Sequence, residues 1–268
     1  GEHHHMPIKI AGAQIGSRWE DPQQSLQKAE QSIRRAVEEG ASLICFPEQY
    51  PTGWDPRSVR HVEERDGPIV SRFRYLAQEY GIAILGSFRE RSDPKPRNTC
   101  IVLDPHGEIA ATYAKSHLFT PAHEDEYYSP GTNPGIFRLS NVPFGIAICY
   151  DLRFPGLFGT YARAGVCCML VPAAWPASRI GHWELFLRAR ALEYQMYVMG
   201  VNPTGMTPVE TYCGRSLAID PSGTVVAEAG GEEALIPAII DPEVVHRVRE
   251  ALPVYQNGLL DDFSRNPT

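Results

Sequence analysis

Apolar runs of strand length alternate with segments of helical periodicity along the chain. The predicted strands cover residues 8–15, 41–47, 81–86, 99–104, 108–114, 144–148, 166–172, 197–202, 211–220, 224–229 and 235–240. The predicted helices cover residues 22–39, 68–80, 155–165 and 181–194, and a further helix starts near Pro242. Many strands with few interspersed helices predict an α/β protein whose sheets are covered by helices on their outer faces.

The first helix has clear signals at both ends. Asp21 stands in the N-cap position, Pro22 fits the first helical position, and Gln24 completes a capping-box pattern. Gly40 is typical of the residue that ends a helix. These signals place one helix between the first two predicted strands.

Two helices carry apolar residues at helical spacing, which predicts that one face of each is buried. In the first helix the apolar positions are Leu26, Ala29, Ile33 and Val37. In the helix over residues 181–194 they are Leu185, Ala189 and Leu192.

Composition narrows the classes of protein that fit. The 268 residues include 43% hydrophobic and 21% charged residues, which is ordinary for a globular enzyme. Residues 1–5 have the composition of an expression-tag remnant, and residues 6–268 are predicted to form one domain, since no linker or change of composition divides them. The net charge of −7 argues against a nucleic-acid partner, and no apolar run approaches the ~20 residues of a membrane span.

Cysteine usage indicates a reducing compartment, so we expect a cytoplasmic protein. The six cysteines are scattered through apolar segments without a Cys-x-x-Cys pair, and they are Cys45, Cys100, Cys149, Cys167, Cys168 and Cys213. Cys149 differs from the others because it ends an apolar strand and is followed at once by charged residues. The others, including the adjacent pair Cys167 and Cys168, are interpreted as core residues.

Three reactive residues each follow an apolar strand: Glu48, Lys115 and Cys149. Catalytic groups converge at strand ends in α/β sheets, so we expect these side chains to meet. Glu48 would take the proton of the Cys149 thiol and later activate water, whereas Lys115 would lower the thiol pKa and stabilise an oxyanion. The backbone N–H of Tyr150 would be a second oxyanion donor.

The segments around these residues resemble the carbon–nitrogen hydrolase (nitrilase) superfamily, whose catalytic residues are Glu, Lys and Cys in that order. The matching motifs are ICFPEQY at residues 44–50, YAKSHLF at 113–119, ICYDLRFP at 148–155, PAAWP at 172–176, HWE at 182–184 and RARALE at 188–193. The resemblance implies a four-layer αββα sandwich and hydrolysis through a thioester on Cys149. It also implies that no cofactor or metal is needed, and that the chain forms a homodimer or higher homo-oligomer.

The same resemblance implies further site residues. A second glutamate precedes a Pro-Gly in this family, and Glu124 in the segment HEDEYYSPG at 123–131 fits that position. The Cys motif looks most like the ω-amidase branch, which hydrolyses the terminal amide of α-keto acid amides. Arg153 would then bind the substrate carboxylate, with Arg179 and Trp175 completing the pocket. The chain departs from that branch in PGL at residues 155–157 and EYQ at 193–195.

Other readings stay open on the sequence alone. Another aliphatic amidase or an N-carbamoyl amino acid amidohydrolase would use the same residues, and a non-catalytic scaffold could retain the fold. A nitrilase fits less well, since its branch typically has Cys-Trp-Glu where this chain has CYD at residues 149–151. Arg153 could instead form a structural ion pair with Asp151 or Glu184. His117 and His123 have no third ligand at zinc spacing.

Overall fold

Two six-stranded sheets lie face to face, and helices cover the outer face of each sheet. The computed structural model describes residues 6–263, so the predicted tag at residues 1–5 lies outside the described residues. One apolar cluster fills the space between the sheets, and a second and third lie between each sheet and its helices. The predicted four-layer αββα sandwich is therefore confirmed.

The first sheet contains β1 (Ile8–Gln14), β2 (Leu43–Cys45), β3 (Ala83–Glu90), β4 (Arg97–Leu103), β5 (Ile109–Ala114) and β14 (Ala234–Ile240). Its strand order is β14-β1-β2-β3-β4-β5, with β1, β2 and β3 mutually parallel. These parallel strands are covered on both faces, which explains their nearly continuous apolar sequences.

The second sheet contains β6 (Gly135–Leu139), β7 (Val142–Ile146), β8 (Cys168–Pro172), β9 (Tyr197–Val201), β12 (Leu217–Ile219) and β13 (Val225–Glu228). Its strand order is β13-β12-β9-β8-β7-β6, and β7, β8 and β9 are parallel. A separate hairpin is formed by β10 (Thr204–Met206) and β11 (Thr211–Cys213).

Six α-helices are found among the described residues: α1 (Pro22–Glu38), α2 (Pro68–Tyr80), α3 (Glu124–Tyr127), α4 (Pro155–Arg163), α5 (Ile180–Tyr194) and α6 (Pro242–Ala251). Helices α1 and α2 cover the first sheet, whereas α4 and α5 cover the second. No helix within residues 6–263 has the length and apolar character that crossing a membrane requires.

The start of α1 is confirmed, but its buried face differs from the prediction at one position. The Asp21 carboxylate accepts a hydrogen bond from the Gln24 N–H at 3.1 Å, which satisfies one free donor of the first turn. Val37 is 38% exposed, whereas Ala36 is fully buried. The core-facing stripe therefore runs through Ala29, Ile33 and Ala36, so the prediction for Val37 was wrong by one residue.

The predicted face of α5 was also wrong. Leu185 and Leu192 are 66% and 59% exposed, while Trp183 and Leu187 are fully buried. Both faces of this helix are apolar, so periodicity could not choose between them. Gly200 on β9 determines which face of α5 is buried, because a Cβ there would lie 2.6 Å from both Trp183 and Leu187. The missing side chain lets these two residues pack against the sheet.

The predicted strand over residues 211–220 is in fact two strands, β11 and β12. The chain turns at Gly214 and Arg215, which have φ values of 71° and 59°. This left-handed conformation is incompatible with a continuous strand. The break separates the β10–β11 hairpin from the second sheet.

Candidate active site

The predicted catalytic residues come from both sheets and meet where the two sheets face each other. Glu48 follows β2 and Lys115 follows β5 in the first sheet, whereas Cys149 lies just beyond β7 in the second. The Glu48 N–H donates to the Ala173 carbonyl at 3.2 Å, which ties the two sheets together beside the site. Sheet packing therefore brings together three residues that are distant in sequence.

Cys149 lies in a tight turn at the end of its strand. It begins a 3₁₀ turn, Cys149–Arg153, with a φ of 46°, an uncommon value for a residue with a side chain. The Asp151 carboxylate accepts from the Ile148 N–H at 2.9 Å and from the Tyr113 hydroxyl at 2.6 Å. It also accepts from the His117 N–H at 2.9 Å. Asp151 thus fixes the Cys149 turn to the segment that carries Lys115.

Lys115 bridges two buried carboxylates. Its Nζ lies 2.8 Å from Glu48 Oε2 and 2.9 Å from Glu124 Oε1, and none of the three side chains is more than 1% exposed. Burial by itself lowers the pKa of Lys115, but Glu124 and Glu48 outweigh it and hold that pKa well above the usual value. The two carboxylates therefore favour the charged form of Lys115.

Backbone and side-chain donors complete the environment of the carboxylates. Glu48 Oε1 accepts from the Ala174 N–H at 3.1 Å, and Glu124 Oε1 accepts from the Phe119 N–H at 2.8 Å. The Trp54 indole N–H lies 3.4 Å from Glu124 Oε2. These contacts fix both carboxylates on either side of Lys115.

Burial keeps the pKa of the Cys149 thiol well above its usual value, although Lys115 acts to lower it as expected. Burial raises the thiol pKa most, and the Glu48 charge raises it further. Lys115 and the Ala174 N–H act in the opposite direction but are outweighed, so the pKa is well above its usual value. Glu48 therefore acts directly on the thiol whose proton it would remove.

Burial also raises the pKa of Glu48, and the nearby Glu124 adds to this effect. The Lys115 charge and hydrogen bonds from Lys115 and Asn98 oppose it. A carboxylate whose pKa lies above that of an exposed glutamate is a stronger base. Glu48 is thus suited to accept a proton from a thiol.

Gly131 explains the Pro-Gly of the second glutamate motif. Its N–H donates to the Lys115 carbonyl at 2.9 Å. A Cβ on Gly131 would lie 2.2 Å from the Ala114 carbonyl oxygen, so no larger residue fits without displacing the backbone. The glycine therefore lets the Glu124 segment approach the backbone beside Lys115.

A pocket with about 420 Å³ of empty space, part of which is open solvent, includes the thiol in its lining. Of the eight predicted site residues, six line it: Lys115, Cys149, Tyr150, Arg153, Trp175 and Arg179. Glu48 and Glu124 lie behind Lys115 as its hydrogen-bonding partners. Five lining residues were not among the predicted site residues: Trp54, Phe119, Ala174, Pro176 and Glu210.

Two arginines stand in this pocket without a carboxylate partner among residues 6–263. Arg153 contacts His182 Nδ1 at 3.0 Å, and its guanidinium lies 4.9 Å from the centre of the Trp175 ring. Arg179 lies over Phe119 at 5.6 Å. Burial and the charge of Arg179 lower the pKa of Arg153. The two arginines outnumber the one carboxylate that lines the pocket, Glu210, and this excess of positive charge favours an anionic ligand.

The alternative ion pairs proposed for Arg153 do not form. Asp151 is occupied by the turn contacts described above, and His117 Nδ1 lies 2.7 Å from its Oδ1. Glu184 pairs with Arg215 at 2.7 Å. The guanidinium of Arg153 is therefore held by aromatic stacking and by His182, a neutral partner when its Nδ1 accepts.

Asn98 is the other residue that sequence reasoning missed. It is fully buried at the start of β4, and its Nδ2 donates to Glu48 Oε2 at 2.8 Å and to Glu124 Oε2 at 3.3 Å. The only sequence signal for Asn98 was a polar residue at the start of an apolar strand. Within residues 6–263, no group of three His, Cys, Asp or Glu side chains is arranged to hold a metal ion.

Comparison with known proteins points in the same direction as the geometry. The profile of the family described as "Carbon-nitrogen hydrolase" matches residues 9–250. The chain is 34% identical over 254 residues to the 2-oxoglutaramate amidase of Bacillus subtilis, covering 94% of this chain and 98% of that protein.

Two solved structures are also similar. Saccharomyces cerevisiae Nit3, a member of branch 10 of the nitrilase superfamily, has a TM-score of 0.87 and 31% identity, with 99% of each chain covered. A variant of the amidase from Nesterenkonia sp. AN1 has a TM-score of 0.83 and 27% identity, with 96% and 98% covered. That structure shows covalent addition of the acetamide moiety of fluoroacetamide at the active-site cysteine.

Proposed function

We propose that this chain, which belongs to the carbon–nitrogen hydrolase family, is an amidase that hydrolyses small carboxylate-bearing aliphatic amides to acid and ammonia. The amidase activity follows from its relatives, and the carboxylate is our addition. The observation that carries it is the pocket itself. Cys149 and Lys115 lie at its base, and Arg153 and Arg179 line it without a carboxylate partner among the described residues.

Acylation begins at the Cys149 thiol and the Glu48 carboxylate, which interact electrostatically in the buried site. Glu48 takes the thiol proton as sulfur attacks the amide carbonyl carbon, and the carbonyl π electrons move onto oxygen. Lys115 has one N–H left after its two carboxylate contacts, and with the Tyr150 N–H it stabilises this oxyanion. The C–N bond then breaks, the nitrogen takes the proton from Glu48, and ammonia leaves a thioester on Cys149.

Deacylation reuses the same groups. Glu48 accepts a proton from water as the water oxygen attacks the thioester carbonyl. The second tetrahedral intermediate collapses, sulfur leaves, and the proton returns from Glu48 to the thiolate. Glu124 does not accept a proton in this scheme, and holds Lys115 at 2.9 Å through both steps.

The two arginines support the choice of substrate. A guanidinium presents planar donors that match a carboxylate, and stacking on Trp175 fixes the Arg153 plane. The Bacillus subtilis relative acts, by its name, on 2-oxoglutaramate. That molecule carries a terminal amide and a distant carboxylate, so it could present one group to Cys149 and the other to Arg153. We therefore assign the amide to Cys149 and the carboxylate to Arg153, with Arg179 beside it.

Ammonia release from 2-oxoglutaramate, an N-carbamoyl amino acid and butyramide tests this assignment. In Arg153→Gln we expect kcat/KM for 2-oxoglutaramate to fall about 10- to 100-fold, the value of a hydrogen bond to a charged group, while butyramide is unaffected. Arg35→Gln, on the distant surface of α1, is the matched control. Equal losses on 2-oxoglutaramate and butyramide, or faster wild-type turnover of butyramide, would contradict the carboxylate assignment.

We also propose a cytoplasmic homo-oligomer that needs no cofactor or metal. The six cysteines are all free, in keeping with a reducing compartment. Leu185 and Leu192 form an exposed apolar stripe on α5, and a second copy of the chain that covered it would remove this surface from water.

A further inference from the structure

We propose that Asn98 is a positioning residue for the reaction, whose side-chain amide holds the Glu48 and Glu124 carboxylates in place against Lys115. The inference rests on the proposed amide hydrolysis for its main assay. It assigns a function to a residue outside the Glu, Lys and Cys motifs.

The contacts of Asn98 involve three of the four predicted catalytic residues. Its Nδ2 lies 2.8 Å from Glu48 Oε2 and 3.3 Å from Glu124 Oε2. Its backbone carbonyl accepts the Lys115 N–H at 2.9 Å. An amide NH₂ group carries two hydrogens, so one asparagine can bond to two acceptors at once. Asn98 thus connects both carboxylates and the Lys115 backbone in a single residue.

Only one of the two orientations of the Asn98 side-chain amide is acceptable. Exchanging its nitrogen and oxygen would place Oδ1 against two carboxylate oxygens, which repel it. In the observed orientation Oδ1 is buried and has no hydrogen-bond partner among residues 6–263. An unsatisfied buried acceptor is unfavourable, so the bonds of Nδ2 must outweigh it. The carboxylates are therefore what keeps this asparagine in place.

The arrangement has a consequence for the ionisation of Glu48. The groups that act on Glu48 electrostatically are Lys115, Glu124, Cys149, Cys100 and Tyr212. Burial and Glu124 raise the pKa of Glu48, whereas Lys115 and the hydrogen bond from Asn98 lower it. Glu48 must be ionised to accept the thiol proton. Removing the Asn98 donor should therefore raise the pH at which Glu48 becomes active.

The test is the pH profile of kcat/KM for the wild type, Asn98→Leu and Asn98→Asp. Leucine removes the donor at similar volume, and aspartate replaces it with a third carboxyl group. We expect the acid limb to move upward by about one to two pH units in Asn98→Leu, the size of a hydrogen bond to a charged group. The shift should be at least as large in Asn98→Asp, because like charges raise the Glu48 pKa.

Asn202→Leu is the matched control. Asn202 is also fully buried, but among the described residues its side chain bonds only to the backbone of Trp175 and Gly214. It should lower the melting temperature without moving the acid limb. An acid limb at the wild-type pH in Asn98→Leu would overturn the proposal, as would a shift of equal size in Asn202→Leu.

A second readout keeps this test separate from the proposed function. If the wild type hydrolyses none of the amides, the proposed function fails. The pH at which the Glu48 carboxyl group ionises, followed by infrared difference spectroscopy across the same pH range with Glu48→Gln to assign the band, then decides the role of Asn98. This measurement does not depend on turnover. An upward shift of the Glu48 ionisation in Asn98→Leu supports the proposal, and an unchanged ionisation overturns it.

Discussion

Lys115 compensates two buried negative charges, so replacing it with methionine should destabilise the fold as well as stop the reaction. Methionine keeps most of the length of the side chain and removes only the charge. Glu48 and Glu124 would then face each other at almost no exposure without a cation. The distances of these two contacts set the size of the resulting loss of stability.

Unit charges about 3 Å apart attract by roughly 5–6 kcal/mol at an effective dielectric constant near 20. Lys115 makes two such contacts, at 2.8 and 2.9 Å, but desolvation of the three groups offsets much of this attraction. Removing one partner from a buried pair costs about 3–5 kcal/mol in other proteins. We expect that loss in the free energy of unfolding of Lys115→Met at about pH 8.

The loss should depend on pH, with a definite sign. Without Lys115, the folded-state pKa of Glu48 rises further above its unfolded value near 4.3. The folded protein then binds more protons than the unfolded chain, so the penalty is absent below about pH 4 and grows as pH rises to the folded-state pKa. The deficit of the variant should be smaller at about pH 5 than at about pH 8.

Urea unfolding followed by circular dichroism at the two pH values measures this deficit. Lys28→Met is the matched control, because Lys28 pairs with Glu233 at 2.7 Å on the surface and such pairs are worth about 0–1 kcal/mol. Adding Glu124→Gln to Lys115→Met should restore part of the stability. The reasoning is refuted if Lys115→Met loses no more than Lys28→Met, or if its deficit is the same at both pH values.

Two further predictions concern packing and assembly. Gly131→Ala should lower the free energy of unfolding by about 1–3 kcal/mol and reduce activity, because its Cβ would lie 2.2 Å from the Ala114 carbonyl oxygen. In Gly156→Ala, in α4, the added Cβ meets nothing within 4 Å, so the free energy of unfolding should rise by about 0.5–1 kcal/mol. Thermal unfolding measures both, and equal effects would contradict the steric argument. If the chain forms the proposed homo-oligomer through α5, Leu185→Glu with Leu192→Glu should convert it to a monomer in sedimentation analysis, while an unchanged mass would exclude this face as the interface.

The convergence of Glu48, Lys115 and Cys149 could be predicted from the sequence, for a local reason. Apolar strands that end at Glu48, Lys115 and Cys149 place these residues at strand ends, where packed sheets bring side chains together. The start of α1 was equally predictable, since the Asp21 cap involves residues only three positions apart. In each case the signal lies within a short stretch of chain.

The tertiary structure decided whatever depends on segments distant in sequence. The buried face of α5 follows from the bare backbone at Gly200, which no periodicity within the helix reports. The pKa of Cys149 rises because burial and Glu48 outweigh Lys115, a balance that exists only once the sheets are packed. Asn98 meets Glu48 and Glu124 across 50 and 26 residues of chain. The sequence indicated which side chains converge, and packing determined their burial, their partners and the pocket beside them.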